Sequence, residues 1–448
     1  MKKNDIIKLT ITAMSSDGSG IGRYEGLAVF VPLSAVGDEL KVRILKVKSN
    51  CAFGKIEEII SSSKDRVDAD CPVFLKCGGC VYRHISYDAE LKLKRQRVED
   101  AIKRIGGVDM EAQPIVSDLK EKGYRNKAQY PVAADGSLGF FAKHSHRIIS
   151  CDYCLLQPKE FARICEVFKF WMFTSGNKPY NEETGKGTLR HLYIRKAEVT
   201  GEIMVCLVIN GEKVVAAERL VQDLRAELGE RLKTVVLNIN KKRTNVILAE
   251  ECKNLYGDGY IYDVLCGVKV RINPLSFYQV NHDMAERLYE KARQYAAPKG
   301  KTVIDLYCGA GTIGLSMANE AKSIIGVEIS PEAIEDAKFN AEMGGIKNAE
   351  FICGDAADAA KVLSKRRIKP EVVIVDPPRK GCDKELLKTV SKDFAPKTLV
   401  YVSCDPATLA RDIKILCELG YELKEYTPFD LFPRTSHVET VALLVRTI

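Results

Sequence analysis

From about residue 280 to its last helix the chain alternates strand and helix strictly, and this rhythm restricts its fold more than any other feature. The strand-like runs are "TVIDLYC", "SIIGVEIS", "AEFICGD", "EVVIVDPP" and "TLVYVSC". Most are short, apolar and rich in β-branched residues, as a strand buried on both faces should be. Helical stretches separate them, such as "SPEAIEDAKFNAEMG", where Ser330 can cap and Pro331 suits the first turn. Strict alternation of this kind predicts a doubly wound parallel α/β sheet. The ending "YELKEYTPFDLFPRTSHVETVALLVRTI" adds two further strands after the last helix.

Two other textures precede this one. Residues 1–62 hold four strand-like runs, "IIKLTITAMS", "LAVFVPLS", "DELKVRILKVKSN" and "CAFGKIEEII", with the glycine-rich turn "SSDGSGIGRYEG" between the first two. That pattern predicts a small OB-like β-barrel. Residues 63–280 begin with a polar linker, "SSSKDRVDAD", then a cysteine run, "CPVFLKCGGC", and a basic helix, "DAELKLKRQRVEDAIKRI". Strands are expected at "KAQYPVA", "HLYIRKA", "EIMVCLVIN", "TVVLNIN" and "NVILAE", giving a mixed α+β domain. The third unit is 281–448. A length of 448 residues accords with several domains.

Bulk properties exclude some classes. There is no run of eighteen apolar residues to span a membrane and no secretory leader, so a cytoplasmic protein is expected. The net charge of +8 is compatible with a nucleic-acid partner without requiring one. Fifteen cysteines, an odd number, do not make a complete disulfide framework. Most, such as Cys206, Cys266 and Cys417, sit in apolar runs as core.

The chemistry gathers where strands end, because ligands of doubly wound sheets bind outside the carboxyl ends of the strands. "DLYCGAGTIGL" (305–315) follows one strand and opens a helix, and Gly309, Gly311 and Gly314 allow a close ligand approach. Asp305 precedes the glycines, and Glu328 ends the next strand, where an acid can bind ribose hydroxyls. A nicotinamide or a methyl donor fits both. Asp355 can reach an adenine or cap a helix. Asp376 precedes two prolines in "DPPRKG", a rigid strand end. Amino-group methylases carry a related motif with an aromatic residue where this chain has Arg379, so another base chemistry is indicated. Cys404 ends the fifth strand, just before "DPATLARD" opens a helix, and Glu439 opens the last strand.

A thiol and a carboxylate at the rim of a methyl-donor pocket suit one reaction. Uracil C5 is a poor nucleophile. A thiolate adding to C6 makes C5 enolate-like, C5 takes the methyl group, and a base then removes the C5 proton so that the cysteine leaves. A helix N-terminus behind Cys404 would favour the thiolate.

The motifs "FYQVN" (277–281), "DLYCGAGTIG" (305–314), "DPPRKG" (376–381), "SCDPATLARD" (403–412) and "FPRTSHVE" (432–439) together resemble the RNA uracil-5 methyltransferases, over nearly the whole chain. The resemblance implies that Gln279, Tyr307, Glu328 and Asp376 contact S-adenosylmethionine or its pocket. It makes Cys404 the nucleophile and Glu439 the base. Asp405 stands where many relatives have asparagine. Cys71, Cys77 and Cys80 have the spacing C-x5-C-x2-C, with Cys154 far downstream, and four such thiolates can hold zinc or an iron–sulfur cluster. The resemblance decides for a [4Fe–4S] cluster and for Cys154 over its neighbour Cys151. The radical spacing C-x3-C-x2-C is absent. The N-terminal barrel resembles a TRAM domain, and Lys46, Lys48 and Phe53 are its candidates for RNA contact. "KGYRNKAQY" and "LRHLYIRK" mix basic and aromatic residues in a similar way. The combination implies a 23S ribosomal RNA substrate, with tRNA as the alternative and no obligate protein partner.

Overall fold

The computed structural model describes residues 1–447. Six strands open the chain: β1 (Ile6–Thr10), β2 (Ala13–Met14), β3 (Gly20–Tyr24), β4 (Leu27–Val31), β5 (Glu39–Val47) and β6 (Cys51–Ser61). They pair in the order β1-β5-β6-β4-β3-β2. Val29, Val31, Leu40, Val42 and Ile44 point into one small core. The alternation of buried and exposed positions along β1 and β5 is what puts them there. This is the expected N-terminal barrel. Ser86 then starts helix α1 (Tyr87–Arg104), its hydroxyl accepting a hydrogen bond from the Ala89 amide.

The middle of the chain supplies β7 (Lys127–Pro131), β8 (Gly139–Phe141), β9 (Ile148–Ser150), α2 (Glu160–Ser175), β10 (Leu189–Lys196), β11 (Ile203–Ile209), α3 (Ala217–Leu228), β12 (Leu232–Ile239) and β13 (Cys252–Tyr256). A five-stranded sheet runs β13-β12-β11-β10-β7. Its outer face is covered by α2 and α3 through Phe161, Ile164, Trp171, Leu220 and Leu224. The other face, with Tyr193, Met204 and Val236, joins the same apolar cluster as Val303 and Ile324 of the C-terminal sheet. Buried on both sides, "IMVCLVI" is apolar throughout. The expected strand "NVILAE" is absent, and the last strand is Cys252–Tyr256 instead. Two buried asparagines take over the pairing there. Asn238 bonds both the carbonyl and the amide of Ala249, and Asn240 donates to the carbonyls of Val246 and Ile247.

A hairpin of β14 (Ile261–Leu265) and β15 (Val268–Ile272) leads to α4 (His282–Ala296). The alternating region follows as β16 (Thr302–Leu306), α5 (Thr312–Ser316), β17 (Ser323–Glu328), α6 (Pro331–Met343), β18 (Ala349–Cys353), α7 (Ala356–Lys365), β19 (Val372–Val375), α8 (Lys384–Thr389), β20 (Thr398–Ser403), α9 (Pro406–Glu418), β21 (Tyr421–Phe429) and β22 (Glu439–Arg446). The sheet order is β18-β17-β16-β19-β20-β22-β21. Only β22 runs against its neighbours. The doubly wound sheet and its two added strands are as expected. Among the described residues, no helix is long and apolar enough to cross a membrane.

Candidate active site

The sheet order reverses at β16, which lies between β17 and β19, so a crevice opens above its carboxyl end. One rim of that crevice is pinned by carboxylates. Leaving β16, the chain passes through Tyr307 (φ +66°), Gly309 (φ +54°) and Gly311 (φ +79°). A left-handed tyrosine is uncommon and marks a loop fixed by its surroundings. At Gly311 a Cβ would stand 2.9 Å from the Phe351 ring, so only glycine brings α5 this close to β18. Asp305, fully buried, accepts the Gly314 amide at 2.9 Å, and its other oxygen has no partner. Burial pushes its carboxyl up to about 7. Glu328 ties two loops together. Its carboxylate accepts from the amides of Gly309 (3.1 Å), Ile329 (2.8 Å) and Ser330 (3.0 Å). Gln279 approaches from the segment before α4, its backbone carbonyl held by Asn126 at 3.0 Å. The Tyr307 ring packs on the apolar cluster beneath β19 and β20.

The opposite rim is assembled from three strand ends. Asp376 follows β19, Cys404 follows β20, and Glu439 starts β22. The β20–β22 ladder pairs Tyr401 with Ala442, Val402 with Val441 and Ser403 with Thr440. One step further, the same register sets Cys404 opposite Glu439. Residues directly opposed in an antiparallel ladder have neighbouring side chains, so thiol and carboxyl come within electrostatic reach although 35 positions separate them. Electrostatics ties the group together. Burial pushes Glu439 up to about 8, Asp376 adds to the effect, and Arg379 opposes it. Burial alone raises Asp376 to about 7. Cys404 is raised to about 11 by burial, then by Glu439 and Asp376, again against Arg379. The expectation that α9 favours the thiolate is therefore corrected. Its first amides, of Ala407 and Thr408, are taken by the Asp405 carboxylate, and two further acids face the thiol. Asp355 caps α7 in the same way, accepting from Ala357 and Asp358.

A second centre lies apart. Cys71, Cys77, Cys80 and Cys154 line one cavity of about 250 Å³ together with Cys151, Arg83, Arg125 and Lys127. All fifteen cysteines are free thiols. Burial is the first cause of the raised pKa values of Cys77, Cys80, Cys151 and Cys154, the last reaching about 12. Among the described residues, no three potential ligands converge closely enough for a single ion. A cubane cluster spaces its four thiolates more widely, and with them it is an anion. Arg83, 3% exposed, leaves Nε and one terminal nitrogen unpaired beside this cavity. Orphaned guanidinium nitrogens and three cationic side chains around five thiols fit an anionic cluster.

On the barrel, Lys48 lies over the Phe53 ring at 5.4 Å, and Phe53 stacks on Phe30 at 5.5 Å. Lys46 is paired with Phe53 across β5 and β6. This is an exposed basic and aromatic patch. The mixed runs in the middle of the chain behave differently, since Tyr124, Tyr130 and Tyr193 are all buried and their rings belong to the core.

A family model described as tRNA (uracil-5-)-methyltransferase matches residues 86–447, and a TRAM domain model matches residues 2–56. The chain belongs to the tRNA (uracil-5-)-methyltransferase family. An uncharacterized RNA methyltransferase of Halalkalibacterium halodurans is 43% identical over 99% of this chain and 98% of its own. One of Clostridium acetobutylicum is 43% identical over 100% and 98%. In structure the chain is similar to the Pyrococcus abyssi tRNA (uracil-54, C5)-methyltransferase in complex with S-adenosyl-L-homocysteine, with 29% identity, a TM-score of 0.80, and coverage of 98% of this chain and 99% of that one. The protein is thus an S-adenosylmethionine-dependent RNA methyltransferase of the uracil-5 family, and the crevice above β16 is where a doubly wound sheet binds its ligand.

Sequence reading missed the part of Arg379. It stood out there only as a departure from an aromatic motif, whereas it is the cation that opposes the acids around Cys404 and Glu439. Asn126, which holds the Gln279 carbonyl, carried no sequence signal either.

Proposed function

We propose that the protein transfers a methyl group to C5 of a uridine in 23S ribosomal RNA through a covalent bond between Cys404 Sγ and uracil C6. The observation that carries this reading is the β20–β22 register, which ends with Ser403 opposite Thr440 and so brings the next residues, Cys404 and Glu439, together beside the crevice. Burial, then the charges of Glu439 and Asp376, push the Cys404 thiol up to about 11, so attack on C6 needs an acceptor for its proton. As Sγ bonds to C6 the thiol proton passes to Asp376. C5 becomes the nucleophile and takes the methyl group from the sulfonium, and S-adenosylhomocysteine leaves. Glu439 removes the C5 proton, the C6–S bond breaks, and Asp376 returns its proton to the departing thiolate. Gln279, Tyr307, Glu328 and Asp376 hold the donor, and Asp376 also faces the uracil.

Three units share the work: 1–62 as an RNA-binding barrel, 63–280 as the cysteine-bearing α+β domain, and 281–448 as the methyl-transfer domain. Cys71, Cys77, Cys80 and Cys154 hold a [4Fe–4S] cluster that shapes the RNA-facing surface. Iron and acid-labile sulfide in anaerobically purified protein, lost on substitution of any of the four, would bear this out. A soluble cytoplasmic enzyme is consistent with such a substrate.

The barrel and the four cysteines together favour ribosomal RNA. The archaeal tRNA enzyme, similar along its whole length, favours tRNA as a second reading. The test incubates the protein with labelled S-adenosylmethionine and, separately, unmodified 23S rRNA or bulk tRNA, followed by digestion to nucleosides. Label in 5-methyluridine from 23S rRNA alone supports the proposal. Label from tRNA alone keeps the chemistry and overturns the substrate, and no label in either removes both.

A further inference from the structure

Glu439 is the first residue of β22, and the nine residues before it, 430–438, form no regular structure. Arg434, in their midst, has a left-handed backbone (φ +70°) that a non-glycine residue adopts only under constraint. The constraint comes from outside the segment, almost carbonyl by carbonyl. Asn281 donates to Leu431 O at 3.1 Å, Tyr124 to Pro433 O at 3.0 Å and Arg97 to Ser436 O at 2.7 Å. The amides of Val81 and Tyr82 both point at Arg434 O.

At the centre of these contacts stands Lys94 of α1, 1% exposed. An ammonium group has three protons to give, and all three are used: to Glu90 at 2.7 Å, to Asp430 at 2.7 Å and to Phe432 O at 3.1 Å. Glu90 in turn accepts the Arg434 amide at 2.7 Å, and Asp430 accepts the Tyr87 hydroxyl at 2.7 Å. Both acids are fully buried. Apolar side chains of equal volume would serve stability as well as such an ion group, whereas only the ion group fixes directions. The same helix also packs along α9, which begins just after Cys404. It therefore braces the chain on both sides of the Cys404–Glu439 pair.

We propose that Lys94, acting through Glu90 and Asp430, is a positioning residue for removal of the C5 proton, because it holds residues 430–438 so that Glu439 meets that proton. The inference rests on the reading of Glu439 as the base. It separates two steps: attack by Cys404 and methyl transfer do not need the clamp, and release of the adduct does.

The test compares wild type, Glu439→Gln and the triple variant Glu90→Gln, Lys94→Met, Asp430→Asn, which keeps the volume of these three side chains without their charges and leaves Arg434 to its other partner, Glu121. In the triple variant kcat is expected to fall about 10- to 100-fold, the cost of a base displaced by an ångström or so. The KM for RNA and the affinity for S-adenosylmethionine stay within about two-fold. A methylated covalent enzyme–RNA adduct accumulates on denaturing gels, as it does with Glu439→Gln. Tyr87→Phe removes one hydroxyl from Asp430 without loss of packing, gives the same adduct at a lower level, and decides the matter should the triple variant fail to fold. Adduct in Glu439→Gln but in neither clamp variant overturns the proposal. So does a parallel loss of donor affinity and of adduct formation, the mark of a merely structural role. If Glu439→Gln itself accumulates no adduct, the base assignment falls and the clamp falls with it.

Discussion

The two rims of the crevice are built on opposite plans. On the donor side the carboxylates bond the loops they organise: Glu328 accepts three amides, and Asp305 accepts one through one oxygen while its other oxygen has no partner. On the acceptor side, among the described residues, the side chains of Asp376, Cys404 and Glu439 hydrogen-bond no other protein group, and each is raised by burial. A cosubstrate that is only to be held needs fixed partners, and preorganised donors and acceptors provide them. Groups that must give and take protons are better left unpaired and poised. The rims therefore differ in what mutation does to them: the donor side loses affinity, and the acceptor side loses steps.

The largest effect expected is from Cys404→Ala, which should lower methyl transfer at least about 10⁴-fold while donor binding by calorimetry stays within about two-fold. Residual turnover near wild type would erase the distinction between the rims. Glu439→Gln should reduce turnover about 10²- to 10⁴-fold, the usual worth of a general base, and trap methylated adduct. Glu328→Ala tests the other rim. Loss of hydrogen bonds to a charged group, about 1.5–3 kcal/mol, should weaken S-adenosylmethionine binding roughly 10- to 100-fold, with no trapped adduct.

The smallest effect is a shift of pH profile. As the proposed base Glu439 would act deprotonated, and burial pushes its carboxyl up to about 8, so kcat/KM should climb as pH rises through that value. Arg379 lowers both Glu439 and Cys404. Its replacement by Ala should therefore move the profile towards higher pH, and a shift to lower pH would mean that the cation acts elsewhere.

Much of this contrast was legible in the chain. Strand ends are marked by residues that cannot continue a strand, and so Asp376, Cys404 and Glu439 could be placed on one rim before any coordinates. Their electrical state could not. "DPATLARD" reads as a helix start that should favour a thiolate, but the first residue of that motif spends the helix amides on itself, and two acids distant in sequence outweigh what remains. "NVILAE" failed as a strand for a related reason: its partners are two asparagine side chains, invisible to any periodicity. The barrel, with its simple alternation, was easy to see. Lys94 was not, because a buried lysine in a basic helix looks like its solvated neighbours.

The register between β20 and β22 has a consequence for how such an enzyme can change over time. Cys404 and Glu439 are brought together by ladder alignment, so the turn between α9 and β21 can lengthen, shorten or diverge without parting them. A single residue gained or lost between Glu439 and the centre of β22 is another matter. It would turn every later side chain to the opposite face or carry the carboxyl out of line with Cys404. The turn between α9 and β21 is thus open to variation, and the residues of the ladder and of the clamped segment 430–438 are closed to it.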